Sequence, residues 1–138
     1  MVVATDGSAC SQAAVNEALS LAAGCKGRLT VLSVVEINAE SAALAPQWMA
    51  KMEAEAEQHL SAVKAQAAGA GVECETVLVR SDEPYRAIVD EASQRKADLV
   101  IMGSHGRSGL SRLLMGSVTA RVVGHAPCKV LIVPHAGA

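Results

Sequence analysis

Phenylalanine is absent from the 138 residues, and Trp48 and Tyr85 are the only large rings, so aromatic side chains make up 1% of the chain. A core must then be built from Ala, Val, Leu, Ile and Met, which lets helices and strands approach closely. The stacking platform on which single-strand nucleic-acid binders rely is excluded. An excess of charge is also missing: 12 Lys+Arg stand against 14 Asp+Glu, a formal net charge of -2. That balance lacks the basic stripe a phosphate backbone requires. Long apolar runs are missing too. The stretch around Leu29 to Ile37 is broken by Ser33 and Glu36 and falls far short of the roughly 20 residues that span a bilayer. The opening MVVATDGS has neither a basic n-region nor an apolar h-region, so no signal peptide is read there and a cytoplasmic address is expected. Cys10, Cys25, Cys74 and Cys128 form no CxxC and have no His partner at zinc-finger spacing, which argues against a metal or redox centre. They are expected to act as small buried hydrophobes.

What is present reads as one domain, 1–138, able to bury roughly two-thirds of its unfolded surface without staples. Two segment types alternate. Leu29 to Val35 is a β-branched run expected to be a buried strand, and Leu99-Val100-Ile101-Met102 and Val130-Leu131-Ile132-Val133 are continuous apolar strands stopped by Gly103 and Pro134. Val72 to Val79 alternates apolar and acidic residues over its first half, which predicts a less buried strand near one edge. Ser11 to Ala23 places Ala14, Ala18, Leu21 and Ala22 on one helical stripe, with Asp6 or Ser8 as N-cap. From Pro46 to Ala68, Met49, Met52, Ala56, Leu60, Val63 and Ala67 recur at steps of three or four. A third helix is expected from Pro84, capped by Ser81 or Asp82, and a fourth from Gly116-Ser117 to about Gly124. Only Val2-Val3-Ala4 precede Thr5-Asp6-Gly7, so the first strand is either short or continues from residues upstream of Met1. Strand and helix in alternation argue for a parallel sheet covered on both faces, with a crevice at the carboxyl ends of the strands near the switch point.

Chemistry concentrates in Met102-Gly103-Ser104-His105-Gly106-Arg107-Ser108-Gly109 and in Gly116-Ser117-Val118-Thr119. The stretch leaves a strand through glycines and enters a helix. Glycines at such a junction let backbone amides approach an anion, and the helix start adds unpaired N–H groups and a favourable dipole. The chemistry suggested is phosphate cradling, with a hydroxyl from Ser117 and a mobile charge from Arg107. Taken singly, Gly103, Gly106 and Gly116 read equally as turn and cap residues.

The spacing Gly103-x2-Gly106-x9-Gly116-Ser117, the early Ala4-Thr5-Asp6-Gly7-Ser8 and the late Pro127-Cys128-Lys129-Val130 together resemble the universal stress protein family, in its ATP-binding branch. The resemblance implies an α/β fold: an open five-stranded parallel sheet in order 3-2-1-4-5, helices on both faces, Rossmann-like, with the nucleotide at the ends of strands one and four. Carried over by position, it implies that Asp6 binds the ribose or a phosphate-bound Mg²⁺. Thr5 and Val34 would border the adenine, largely through backbone groups, and Met102 and Gly103 would lie against base and ribose. His105 and Gly106 would follow the phosphates, and Gly116, Ser117 and Val118 would hold them. It also implies a homodimer paired through Val130, Leu131, Ile132 and Val133, which would otherwise be an exposed apolar edge.

No GxxxxGK[ST], no GxGxxG after the first strand and no Gly-x-Ser-x-Gly occurs, so a P-loop, a dinucleotide fold and a nucleophile elbow are set aside. His105 is the tempting catalyst, but no orienting partner can be named from the sequence. Glu53, Glu55 and Glu57 are two apart on a helix and read as a solvated face, not a metal cluster. His59, His125 and His135 are given no role, and Trp48 and Tyr85 read as packing or surface residues. The expected function is a nucleotide-dependent stress or signalling module that holds ATP with Mg²⁺ and turns it over slowly or not at all. The competing readings are an ATPase or phosphotransferase using His105 and Asp6, and a dimeric interaction protein that binds another adenine compound such as cyclic AMP.

Overall fold

Among the residues that the computed structural model describes, 1–37, 43, 45–105 and 115–134, strands and helices alternate from end to end. The order is β1 (Val2–Ala4), α1 (Ala9–Cys25), β2 (Arg28–Glu36), α2 (Pro46–Gly69), β3 (Glu73–Ser81), α3 (Pro84–Gln94), β4 (Leu99–Gly103), α4 (Ser117–His125) and β5 (Lys129–Val133). The strands form one sheet in order β3-β2-β1-β4-β5, and every neighbouring pair is parallel. This is the expected α/β order. Val72 to Val79 is correctly read as an edge, since β3 pairs only with β2 in that order.

Successive strand residues point to opposite faces, and the sheet uses both. Val3, Val31 and Ile101 join Ala14, Val15 and Ala18 of α1 and Leu60, Val63 and Ala67 of α2 in one core. Val2, Leu32, Val100 and Met102 join Ile88 and Ala92 of α3 and Val122 of α4 in the other. The alanines of α1 at positions 14, 18 and 22 are no more than 1% exposed, so this helix lies close on the sheet where larger rings would hold it away. Leu21, expected on that stripe, is 36% exposed; Val15 and Leu19, each one residue after Ala14 and Ala18, are buried instead, so the face on the sheet is turned toward them. Tyr85 lies between α3 and α4, with the Arg121 guanidinium 5.4 Å from its ring centre.

Ser8 is the N-cap of α1, its hydroxyl accepting the Ser11 N–H at 3.2 Å. At α3 neither Ser81 nor Asp82 is the cap; Glu83 occupies that position, and Ser81 Oγ instead accepts the Glu83 N–H at 3.0 Å, closing the turn before Pro84. Of the four cysteines only Cys10 is buried; Cys74 and Cys128 are half-buried and Cys25 is exposed. The expectation of four buried hydrophobes holds fully at Cys10, is met only in part at Cys74 and Cys128, and fails at Cys25, the last residue of α1, which is exposed. Among the described residues no helix is long and apolar enough to cross a membrane.

Candidate functional site

The sheet order reverses at β1. The chain moves outward to β2 and β3, then returns to β4 on the other side, so the loops leaving β1 and β4 diverge to opposite faces and open a crevice. Here lies a cleft of about 430 Å³, within the size range of small-molecule sites.

The first loop is held by its own hydroxyls. Thr5, 4% exposed, continues the sheet by donating its N–H to Leu32 O at 2.9 Å. Its Oγ1 lies 3.0 Å from Ser11 Oγ and accepts the Gly7 N–H at 3.3 Å. Asp6 turns back to accept the Ser8 N–H on Oδ1 at 2.9 Å, an Asx turn, and Gly7 adopts φ 82, the left-handed region that a side chain would resist.

The second loop is pinned at both ends. Ser104 O accepts the Gly116 N–H at 2.8 Å, and Thr119 Oγ1 donates to Gly103 O at 2.9 Å, so α4 starts against the end of β4. Among the described residues no side chain caps α4, whose N-cap is Gly116. The first-turn amides of α4 thus meet the cleft, lined there by Ser117, Val118 and Thr119. Gly103 has a packing reason to be glycine: a Cβ there would sit 2.9 Å from Cys10 Sγ and 3.0 Å from Cys10 O. His105 Nδ1 lies 3.0 Å from Ser104 Oγ, a partner no sequence spacing announces.

The ionisable groups lining the cleft among the described residues are Asp6, Glu36, Glu55, His59 and His105, with no lysine or arginine. Among the described residues, the groups suited to an anion at the α4 start are therefore backbone amides and the helix dipole. No group of three or more His, Cys, Asp or Glu able to hold a metal occurs among the described residues. Away from the cleft, Arg95 holds Glu75 below its ordinary range, and burial raises the Cys74 and Cys128 thiols.

The match to known proteins is direct. The model of the universal stress protein family fits residues 1–134. The chain belongs to the universal stress protein family. A universal stress protein of Methanocaldococcus jannaschii is 34% identical over 137 residues, covering 96% of this chain and 80% of its own length. Universal stress protein UspA from Lactobacillus plantarum has the same fold, with TM-score 0.85 at 27% identity, covering 96% of this chain and 95% of that one. A universal stress protein solved in complex with cAMP matches with TM-score 0.73 at 32% identity, covering 96% of this chain and 94% of that one.

In this universal stress protein the residues expected from sequence at the site converge. Thr5, Asp6 and Val34 line the cleft, as do Met102, Gly103 and His105 and, beside these, Gly116, Ser117 and Val118. Gly106 and Arg107 lie outside the described residues, as does His135. Sequence reasoning missed the wall contributed by α2. Met52 and Ala56, read as core, line the cleft, and so does His59, whose Nε2 lies 2.8 Å from Thr5 Oγ1. The signal was the apolar stripe itself, which extends past the sheet core; the contact between residues 54 apart has no local signature.

Proposed function

We propose that this universal stress protein is an adenine-nucleotide-binding module that holds ATP with Mg²⁺ in the β1/β4 cleft and signals by occupancy, with little or no turnover. The observation that carries this reading is that the start of α4, with glycine at its N-cap, shares one cleft with Asp6 and with the aliphatic side chains of Val34 and Met102. The cleft fits such a ligand by its chemistry. Val34 and Met102 offer aliphatic walls for a base, and the Ser117, Val118 and Thr119 amides offer donors for phosphate oxygens. Asp6 offers one carboxylate, and Mg²⁺ bound to a nucleotide needs only one or two from the protein because phosphates and water supply the rest. The related protein solved with cAMP supports an adenine compound as the ligand class.

The same arrangement favours holding over cutting. The α4 amides and Asp6 meet ground-state charge as well as they meet a transition state, and uniform binding does not accelerate a reaction. Ser104 beside His105 is the observation on the side of a slow ATPase, in which His105 would move a proton.

Freshly purified protein is denatured and the released nucleotide is identified by chromatography, with Gly116→Asp as the charge-repelled control. Calorimetry with ATP and Mg²⁺, and with cyclic AMP, follows. Binding heat for ATP without multiple-turnover phosphate release is expected. Sustained release that is lost in His105→Gln favours the ATPase, tight binding of cyclic AMP alone favours the third reading, and no nucleotide and no heat in any arm overturns the proposal.

Pairing of two copies through β5 belongs to the same proposal. Val130, Leu131, Ile132 and Val133 are half-buried on an edge strand, where an apolar row with unpaired backbone groups invites another strand. Sedimentation as a monomer at micromolar concentration would remove it.

A further inference from the structure

The long helix α2 is expected from its sequence pattern to cover the sheet, and its C-terminal half does so through Leu60, Val63 and Ala67. Its preceding turns do something else. Met52, Glu55, Ala56 and His59 follow one another at steps of three, one and three, fall on one helical face, and line the cleft. Of these, His59 reaches across to the loop after β1. Its Nε2 lies 2.8 Å from Thr5 Oγ1, and Thr5 Oγ1 lies 3.0 Å from Ser11 Oγ.

That chain of groups ends on two backbone amides. The Gly7 N–H donates to Thr5 Oγ1 and the Asp6 N–H to Ser11 Oγ, each at 3.3 Å. Long bonds of this kind hold only while the accepting oxygens stay in place. Thr5 and Ser11 are 4% and 5% exposed, so water is poorly placed to substitute for a missing partner. Each hydroxyl has one proton to give; Ser11 Oγ also lies 3.0 Å from Ser8 O, so the chain is anchored at Ser8 on one side and at a ring nitrogen of His59 on the other. The imidazole is thus one of the groups that hold the two hydroxyls on which the Asp6 and Gly7 amides rest.

We propose that His59 is a positioning residue for nucleotide binding, which makes α2 part of the site through Thr5 and couples the lie of this helix to the loop that holds the ligand. The proposal rests on the adenine-nucleotide reading for its ligand, and its test has an arm that needs no ligand.

In ligand-free protein, hydrogen exchange at the Asp6 and Gly7 amides is measured for wild type, His59→Leu and His59→Gln. His59→Leu is expected to speed both by about tenfold, the loss of one hydrogen bond, while the Val31 and Ile101 amides in the core stay unchanged. His59→Gln, which returns a nitrogen near the place of Nε2, is expected to restore slow exchange. Calorimetry with ATP and Mg²⁺, and with cyclic AMP, should then show affinity about tenfold lower in His59→Leu, largely recovered in His59→Gln. Thr5→Val should cost a similar factor, and combining it with His59→Leu should add nothing further. Unchanged exchange, unchanged affinity beside a wild type that binds, or fully additive losses in the double variant each overturn the proposal. If wild type binds neither nucleotide, the ligand reading fails; faster exchange in His59→Leu still supports the setting of the loop by His59, and unchanged exchange overturns that as well.

Discussion

Thr119 Oγ1 donates a 2.9 Å hydrogen bond to Gly103 O, joining the first turn of α4 to the last residue of β4 with a side chain that is 3% exposed. This bond fixes where the α4 amides stand relative to the sheet. Thr119→Val keeps the shape and removes the donor, and should cost about 1–3 kcal/mol because a buried carbonyl loses a partner. Thr119→Ser keeps the hydroxyl and should lose much less. Urea unfolding midpoints check both, and equal midpoints for Val and wild type would show that the bond contributes nothing.

Gly103 is constrained by contact. A Cβ would meet Cys10 Sγ at 2.9 Å and Cys10 O at 3.0 Å, so Gly103→Ala is expected to destabilise by about 1–3 kcal/mol through overpacking. Adding Cys10→Ala should recover only part of the loss, since the backbone oxygen remains. Full recovery in the double variant would show that the sulfur alone sets the limit.

Arg95 links β3 to α3, donating to Glu75 at 2.8 Å and to Glu91 at 3.0 Å, and it holds the Glu75 carboxyl below its ordinary 4.5. A carboxyl lowered in the folded state adds stability that is fully present above its unfolded value and is lost as pH falls through the lowered one. The gap in unfolding midpoint between wild type and Glu75→Gln should therefore be small at neutral pH, because the pair is solvent-exposed. It should close under acid conditions below the ordinary value, and should shrink in about 1 M salt. A gap that widens in acid would contradict this sign.

Alkylation of the four thiols should follow exposure and protonation. Cys25 is exposed, Cys74 and Cys128 are half-buried and Cys10 is buried; burial also pushes the Cys74 and Cys128 thiols up, which lowers their thiolate fraction. Limited iodoacetamide followed by peptide mass analysis should find Cys25 modified first and Cys10 last. Early modification of Cys10 would reveal that the first turn of α1 opens.

The alternation of strand and helix and the edge position of β3 were accessible from residue pattern, because β3 is acid-interrupted where β2 and β4 are continuous apolar runs; the full order came only with the family resemblance, since β5 is as apolar a run as β4 and yet lies at the other edge. The site was accessible where glycine spacing and Ser117 mark a strand-to-helix junction. Features that depend on three-dimensional register were not. Leu21 and Leu19 fit a helical stripe about equally well until the sheet selects a face, and Asp6 and Ser8 are equivalent caps until Asp6 is drawn into its own turn at the Ser8 N–H. The half of α2 that leaves the sheet to line the cleft carries the same apolar pattern as the half that stays. His59 acquires meaning only from Thr5, 54 residues away in the chain.

The shortness of β1 bears on when the site comes into being. Its three residues are paired on one side with β2, Val3 opposite Val31, and on the other with β4, Val3 opposite Ile101. The second pairing closes a loop of nearly a hundred residues, the kind of contact that forms late because its entropy must be met before any bond rewards it. A growing chain thus leaves the ribosome without a cleft for most of its synthesis, and a fragment ending before Leu99 lacks one altogether. Formation of the cleft therefore waits on the β1–β4 pairing, the strand contact of greatest sequence separation in the sheet.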